Sequence, residues 1–184
     1  MNEILQAIAA RNSCRDFADT PLTEEQIKAI ADAALAAPSA MNRQPWRIVM
    51  VTEKAIVDEL NEEGMSILAA AEDKAGYNRM MDRGGKMFYN APCMMIVLND
   101  GSPYAAMDSG ILCQNVTLAA QSLGLSTCIV GMAGVPLSGP RGDEFKNRLK
   151  FPDGFTFGIG ILIGVPNTGK EPHELDQSKI TFIG

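Results

Sequence analysis

The sequence predicts an α+β fold in which helices cover one sheet, and three observations support this. At 184 residues the chain fits a single domain, residues 1–184, which can bury about 70% of its unfolded surface without a metal or a disulfide. Helical and strand patterns mix along the chain, without internal repeats. Residues 104–123 form the longest apolar helical pattern, so this segment is predicted to be the central helix.

Capping residues and apolar faces of helical period predict the other helices. Asn2 is the expected cap of the first helix, and a capping box at Thr23 begins the second. Thr52 is the expected cap of the third, with interruptions at Gly64 and Gly76. The predicted helices span residues 2–11, 23–37, 52–81, 104–123 and 143–149.

Strands are predicted where short apolar or alternating runs lie between turn residues, at 46–51, 93–98, 126–131, 155–164 and 179–183. The run at 93–98 is apolar throughout, as expected for a strand covered on both faces. Residues 155–164 place glycines on one face, which another backbone can then approach closely. The run at 179–183 follows a long polar tail, so a strand there needs a partner sheet.

Charge and composition exclude several classes of protein. The net charge is −6 and the basic residues are scattered, which argues against nucleic acid or an anionic membrane surface as a partner. The apolar runs are too short to span a membrane and the first residues do not resemble a signal peptide, so we expect a soluble cytoplasmic protein. Four cysteines without a C-x-x-C pair and a single histidine predict no metal site.

An irregular loop at residues 36–46 separates a helical pattern from a strand pattern. Pro38 and Pro45 prevent a helix from running through it, and Trp46, the only tryptophan, begins the strand. Three side chains in the loop can turn toward a ligand: those of Ser39, Asn42 and Gln44. The alternative is a plain connection whose tryptophan serves packing.

Residues 11–17 have little apolar periodicity and place two arginines around a serine. Arg11 and Arg15 each offer a fork of donors suited to phosphate, and the Ser13 hydroxyl can complete such a site. The alternative is a solvated surface cluster, because this composition is common there.

The predicted central helix carries three polar side chains, Asp108, Gln114 and Asn115. Buried polar groups must find partners. We therefore expect these side chains to satisfy neighbouring loops or another subunit, and favour that interpretation over a ligand site.

Five blocks, in order along nearly the whole chain, carry a family resemblance. They are Arg11-x-Ser13-x-Arg15-x-Phe17, Ala37-Pro38-Ser39-Ala40-x-Asn42-x-Gln44-Pro45-Trp46, Ala91-Pro92, Asp108-x-Gly110 with Asn115-x-x-Leu118-Ala119-Ala120, and Leu123-Gly124-Leu125. Together they resemble the nitroreductase family of flavoproteins. The resemblance implies an α/β/α sandwich with a mostly antiparallel mixed sheet around a long central helix. It also implies a homodimer that exchanges its C-terminal strand and binds FMN at the subunit interface, with NAD(P)H as electron donor.

The resemblance implies three groups of FMN-binding residues. For the phosphate these are Arg11, Asn12, Ser13, Arg15, Lys170 and His173; beside the ring, Pro38, Ser39, Ala40, Asn42 and Gln44; and at a strand end near flavin N5, Cys128, Ile129, Val130 and Gly131. Lys86 resembles a basic residue on the pyrimidine side of the ring. Many members carry Glu where this chain has Val130, so a side chain near the hydride path is absent here.

The implied activity is a ping-pong exchange in which NAD(P)H delivers hydride to flavin N5 and a second substrate then removes two electrons. A nitroaromatic, a quinone or a similar small molecule would be the acceptor. No protein nucleophile is needed, since the chain supplies orientation and positive charge or N–H donors near N1 and O2. The alternatives are a flavin store or redox sensor without turnover, and a dehalogenating or flavin-fragmenting relative.

Overall fold

The computed structural model describes residues 2–171 and 174–184. Their helices are α1 (Glu3–Ala10), α2 (Glu24–Leu35), α3 (Lys54–Ala70), α4 (Ala75–Met81), α5 (Ala105–Ser122), α6 (Gly134–Ser138) and α7 (Gly142–Arg148). Their strands are β1 (Trp46–Val51), β2 (Cys93–Asn99), β3 (Ser126–Val130) and β4 (Thr156–Gly164). This arrangement confirms the predicted α+β class.

The four strands form one sheet in the order β1-β2-β4-β3, and all three pairings are antiparallel. The parallel component is an isolated bridge between Ser13 and Thr127, on the outer edge of β3. Successive residues of β2 point to opposite faces, so Met94 packs with α3, α6 and α7 while Met95 packs with α2 and α5. Helices therefore cover both faces of the sheet, and β2 is the predicted central strand, buried from residue 93 to residue 98.

Helix α5 is the predicted central helix. It has 18 residues and buries side chains along its whole length, from Ala105 to Ala120. Gly124 follows it with a φ of 72°, the left-handed conformation that ends many helices and suits glycine. Neither α5 nor any other helix in residues 2–171 and 174–184 is long and apolar enough to cross a membrane.

The predicted caps of the first two helices are confirmed. The Asn2 side chain accepts a hydrogen bond from the Leu5 N–H at 3.0 Å. In α2, the Gln26 N–H donates to the Thr23 hydroxyl at 3.2 Å, and the Thr23 N–H donates back to the Gln26 side chain at 2.9 Å. These reciprocal bonds satisfy backbone donors that the first helical turn leaves free.

The prediction for the third helix was wrong in two respects. The cap of α3 is Glu53 rather than Thr52, and its side chain makes no capping hydrogen bond. Gly64 does not interrupt α3, and Gly76 lies inside α4; the break falls at residues 71–74. Gly64 serves packing, because a Cβ there would lie 2.8 Å from the Met87 methyl carbon.

The bare face of β4 is filled by this chain's own residues. A Cβ on Gly164 would lie 2.7 Å from Pro92 Cδ and 3.0 Å from a Phe17 ring carbon. A Cβ on Gly160 would lie 2.7 Å from the Ala133 Cβ. The close approach predicted from the glycines is therefore real, and it locates residues 11–17 against the sheet.

Residues 179–183 form no strand in the single chain. The sequence predicts a strand there that needs a partner sheet, which one chain does not supply. The described tail contains a short 3-10 helix, Gln177–Lys179, and then no regular element. Phe182 and Ile183 are 89% and 97% exposed. A strand in this stretch stays a prediction for the dimer.

We expect Gly164→Ala to lower the free energy of unfolding by about 1–3 kcal/mol, because the added methyl group must displace Phe17 or Pro92. The matched control is Gly169→Ala, whose Cβ would meet no atom within 4 Å. Urea denaturation at one fixed protein concentration measures both variants. Equal stability of the two variants would contradict the packing described for Gly164.

Candidate cofactor site

Residues 11–17 lie along the outer edge of β3. The Cys14 N–H donates a hydrogen bond to the Thr127 carbonyl at 2.9 Å, and Ser13 is bridged to Thr127 in parallel register. Because β3 ends the sheet on this side, the segment acts as a short additional strand. Arg11 and Arg15 lie on either side of the bridged residue Ser13 and are thereby held at this edge.

Phe17 anchors the far end of this segment. Its side chain is fully buried, its N–H donates to the Tyr89 carbonyl at 3.2 Å, and its carbonyl accepts from the Asn90 side chain at 3.4 Å. The next residue, Ala18, donates its N–H to the Val165 carbonyl at 2.9 Å. These contacts fix the segment against the loops that follow α4 and β4.

Three cationic side chains converge on a cleft at this segment. A cleft of about 460 Å³ is lined by Arg15, Arg83 and Lys86, with Asp16, Phe17, Gly84, Tyr89, Asn90 and Asn167 completing its wall. Burial raises the pKa of the Cys128 thiol, while the positive charges of Arg15, Arg83 and Arg11 act against that rise. All three arginines therefore act electrostatically on Cys128 in β3.

Arg83 is a candidate site residue that the sequence analysis does not single out. It follows α4 and precedes Gly84 and Gly85, whose φ angles of 95° and 71° turn the chain sharply. Its guanidinium donates to the Tyr89 hydroxyl at 3.4 Å. The only signal in the sequence was a cluster of basic residues around two glycines, a pattern that equally fits a solvated loop.

Lys86 lies on the same cleft, and its ammonium group donates to the Asn90 side chain at 3.1 Å. The Lys170 carbonyl accepts a hydrogen bond from the Asn12 side chain at 3.2 Å, which brings this part of the tail to residues 11–15. His173 lies outside the described residues. The roles of these residues toward a cofactor stay predictions.

The end of β3 presents main-chain groups at an open edge. The Thr127 carbonyl points outward to Cys14, so by strand alternation the N–H and C=O of Ile129 point outward as well. The side chains of Cys128 and Val130 are buried, whereas Gly131 is exposed. The backbone at this position is therefore open to a flat ligand, and its approach to flavin N5 stays a prediction.

The loop at residues 38–44 has an unusual backbone. It contains a 3-10 turn, Ala40–Asn42, and three of its non-glycine residues have left-handed φ angles: Met41 and Asn42 at 53° and Gln44 at 49°. The Ser39 hydroxyl accepts from the Gln44 N–H at 2.9 Å, closing the loop on itself. The Ala40 N–H points at both carboxylate oxygens of Asp108, at 3.2 and 3.3 Å.

Within one chain, the loop at residues 38–44 and the segment at 11–17 lie at opposite edges and opposite ends of the sheet. The loop leads into β1, whose first residue pairs with Asn99. Ser13 is bridged to Thr127, which pairs across the sheet with Ile163 of β4 and so with Cys93 of β2. Cys93 and Asn99 lie six residues apart along β2. Strand spacings of about 4.8 Å and rises of about 3.4 Å per residue separate the two by more than about 20 Å. The two halves of the predicted site therefore do not meet in a single chain.

Two solved structures resemble this one over its whole length. A nitroreductase with bound FMN from Desulfitobacterium hafniense DCB-2 matches with a TM-score of 0.95 at 48% identity, covering 100% of each chain. A nitroreductase with bound FMN from Bacteroides fragilis NCTC 9343 matches with a TM-score of 0.88 at 26% identity, again over 100% of each chain. The fold of this chain is thus that of these nitroreductases.

The sequence comparisons agree with the structural ones. The NADPH-flavin oxidoreductase of Vibrio harveyi is 30% identical over 171 residues, which are 93% of this chain and 69% of that protein. The sequence model of the nitroreductase family matches residues 8–159, which is most of the chain. The match includes the segment at 11–17, the loop at 38–44 and the end of β3. The chain belongs to the nitroreductase family.

Proposed function

We propose that this protein is an FMN-dependent oxidoreductase that transfers two electrons from NAD(P)H to a small acceptor. The observation that carries the proposal is the convergence of Arg15, Arg83 and Lys86 on one cleft, in a chain whose net charge is −6. Arg11 adds a further positive charge that acts on Cys128 in β3. Guanidinium groups beside free backbone edges suit a phosphate and a polar ring together. The relatives that bind FMN support this assignment.

The residues of the cleft, of residues 11–15 and of the end of β3 fit the two ends of FMN. Arg11, Ser13 and Arg15 would hold the phosphate, and the open edge at Ile129 and Gly131 would receive the flat ring. FMN supplies the redox chemistry, accepting hydride from NAD(P)H and passing two electrons to an acceptor such as a nitroaromatic or a quinone. Arg83 and Lys86 would place positive charge beside the ring, where it stabilises developing negative charge.

The second half of the site would come from another copy of the chain. The separation of residues 11–17 from residues 38–44 leaves each half of the site incomplete. In a symmetric dimer, residues 11–17 of one subunit can meet residues 38–44 of the other. Two exposed apolar stripes support such an interface. One is Ile4, Leu5 and Ile8 on α1, and the other is Met107 and Ile111 on α5 with Tyr104, the residue that caps this helix. All six side chains are at least 37% exposed in the single chain.

The C-terminal tail would extend this interface. Beyond Lys179 it carries three exposed apolar side chains: Ile180, Phe182 and Ile183. The outer edge of β1 is unpaired in the described chain and borders a groove of about 350 Å³, lined in part by Leu35, Ile48 and Met50. An unpaired edge is a template for an added strand, so the partner's tail would pair there.

The purified protein is expected to release FMN, rather than FAD, on denaturation. Under anaerobic conditions NAD(P)H should bleach the bound flavin, and an added nitroaromatic or quinone should restore its visible absorbance. Chromatography of the released flavin and stopped-flow absorbance measure the two steps. A protein that contains no flavin and fails to bind added FMN would contradict the proposal, and bleaching without recovery by any acceptor would favour the store or sensor.

Arg15→Ala is expected to weaken FMN binding about 10- to 150-fold, because it removes charge-assisted hydrogen bonds to the phosphate. Riboflavin lacks the phosphate, so its affinity should change little. Arg79→Ala is the charge-matched control, since Arg79 is exposed on α4 and does not line the cleft. Fluorescence titration of both flavins measures the effect, and equal losses for FMN and riboflavin in Arg15→Ala would refute the phosphate assignment.

Truncation after Ser178 is expected to weaken the dimer and flavin retention together, since it removes the segment proposed to pair with the partner's β1. A control chain with Phe182→Ser and Ile183→Ser keeps the length and loses two of the three exposed apolar side chains. Sedimentation velocity and the ratio of flavin to protein measure both properties. A truncated protein that stays dimeric and fully loaded at low protein concentration would show that the tail has no such role.

A further inference from the structure

We propose that Asp108, on the central helix α5, is a positioning residue that holds the loop at residues 38–44 in its flavin-binding shape. The inference rests on the proposed function, because it concerns the half of the site that would contact the ring. It assigns to this carboxylate a role in flavin binding, although the residue lies on a core helix.

Asp108 is a buried acidic residue close to the start of α5. The Asp108 side chain is 3% exposed, yet it lies one turn into α5, where the helix N-terminus favours a carboxylate. Both of its oxygens lie within hydrogen-bonding distance of the Ala40 N–H, at 3.2 and 3.3 Å. A buried carboxylate makes a stronger hydrogen bond to an N–H group than a neutral acceptor does. The contact joins the first residue of the 3-10 turn to the most buried helix of the fold.

The loop needs such an anchor because its backbone is unfavourable. Met41, Asn42 and Gln44 all have left-handed φ angles without being glycine, and such residues persist only where their surroundings hold them. Met41 is 77% exposed, so side-chain packing does not hold it. The Asp108 contact at Ala40 and the Ser39–Gln44 contact instead restrain the turn from its two ends.

A second polar side chain of α5 provides a matched comparison. The Asn115 amide donates to the Ala33 carbonyl at 3.1 Å, seven residues further along the helix. Asp108 and Asn115 thus both tie α5 to the backbone of the preceding segment. Asn115 holds α2, whereas Asp108 holds the loop. If Asp108 had a purely structural role, removing either side chain should change flavin affinity to the same extent.

The first test compares Asp108→Ala with Asn115→Ala in the full-length protein. Asp108→Ala should weaken FMN and riboflavin alike, by about 10- to 100-fold, since the loop would contact the ring and not the phosphate. Asn115→Ala should leave both affinities unchanged. Asp108→Asn preserves the shape with a weaker acceptor and should fall between wild type and Asp108→Ala, which keeps the test decisive if the alanine variant folds poorly.

A readout without flavin follows from Arg43, which is exposed in the loop. Trypsin should cleave after Arg43 at least several times faster in flavin-free Asp108→Ala than in flavin-free wild type or Asn115→Ala. Unchanged cleavage at Arg43 together with unchanged riboflavin affinity would overturn the inference. A wild-type protein that binds no FMN at all would instead remove the proposed function, and the inference with it.

The second test uses mixed dimers, because the proposed site takes Arg15 from one subunit and the loop from the other. A dimer of one Arg15→Ala chain and one Asp108→Ala chain should contain one intact site and one doubly defective site. Differently tagged chains allow the mixed dimer to be purified, and FMN titration should show half of its sites at wild-type affinity. If every site of the mixed dimer is as weak as in the parent variants, Asp108 does not act on the partner's flavin and the inference fails.

Discussion

The docking of residues 11–17 on the outer edge of β3 is the contact on which the candidate site depends. The hydrogen bond from the Cys14 N–H to the Thr127 carbonyl makes the segment part of the sheet, and buried Phe17 locks its other end. Phe17 fits because Gly164 has no side chain to displace it. The positions of Arg11 and Arg15 are therefore set by an edge pairing and by an apolar contact, not by their charges.

The antiparallel order β1-β2-β4-β3 has a functional consequence, because it places the two motif-bearing stretches at opposite edges. A ligand that needs both must lie between two copies of the chain. Binding such a ligand would then stabilise the dimer by mass action, and dimerisation would complete the site. The exposed apolar stripes on α1 and α5 are consistent with this coupling, because a dimer interface would bury their apolar surface away from water.

Helix α5 links the core to the loop at residues 38–44. Its apolar side chains pack on the sheet with α2, while Asp108 and Asn115 reach the backbone of the segments before β1. A loop of three left-handed residues keeps one shape only if something rigid holds it. The interpretation that these polar side chains satisfy neighbouring segments is confirmed for both, and for Asp108 the neighbouring segment belongs to the candidate site.

The sequence alone determined the caps of α1 and α2, the buried character of β2, the central helix and the family resemblance, because periodicity, capping and motifs are properties of neighbouring residues. It also indicated a close approach to the glycines of β4, without identifying Phe17, Pro92 and Ala133 as the residues that make it. Only the tertiary structure decided that Gly64 lies within an unbroken helix, that Arg83 joins Arg15, and that the loop and the arginine segment lie apart. The physical reason is that pairing order and packing across the sheet join residues far apart in the chain, and no local pattern records which distant residue fills a given space.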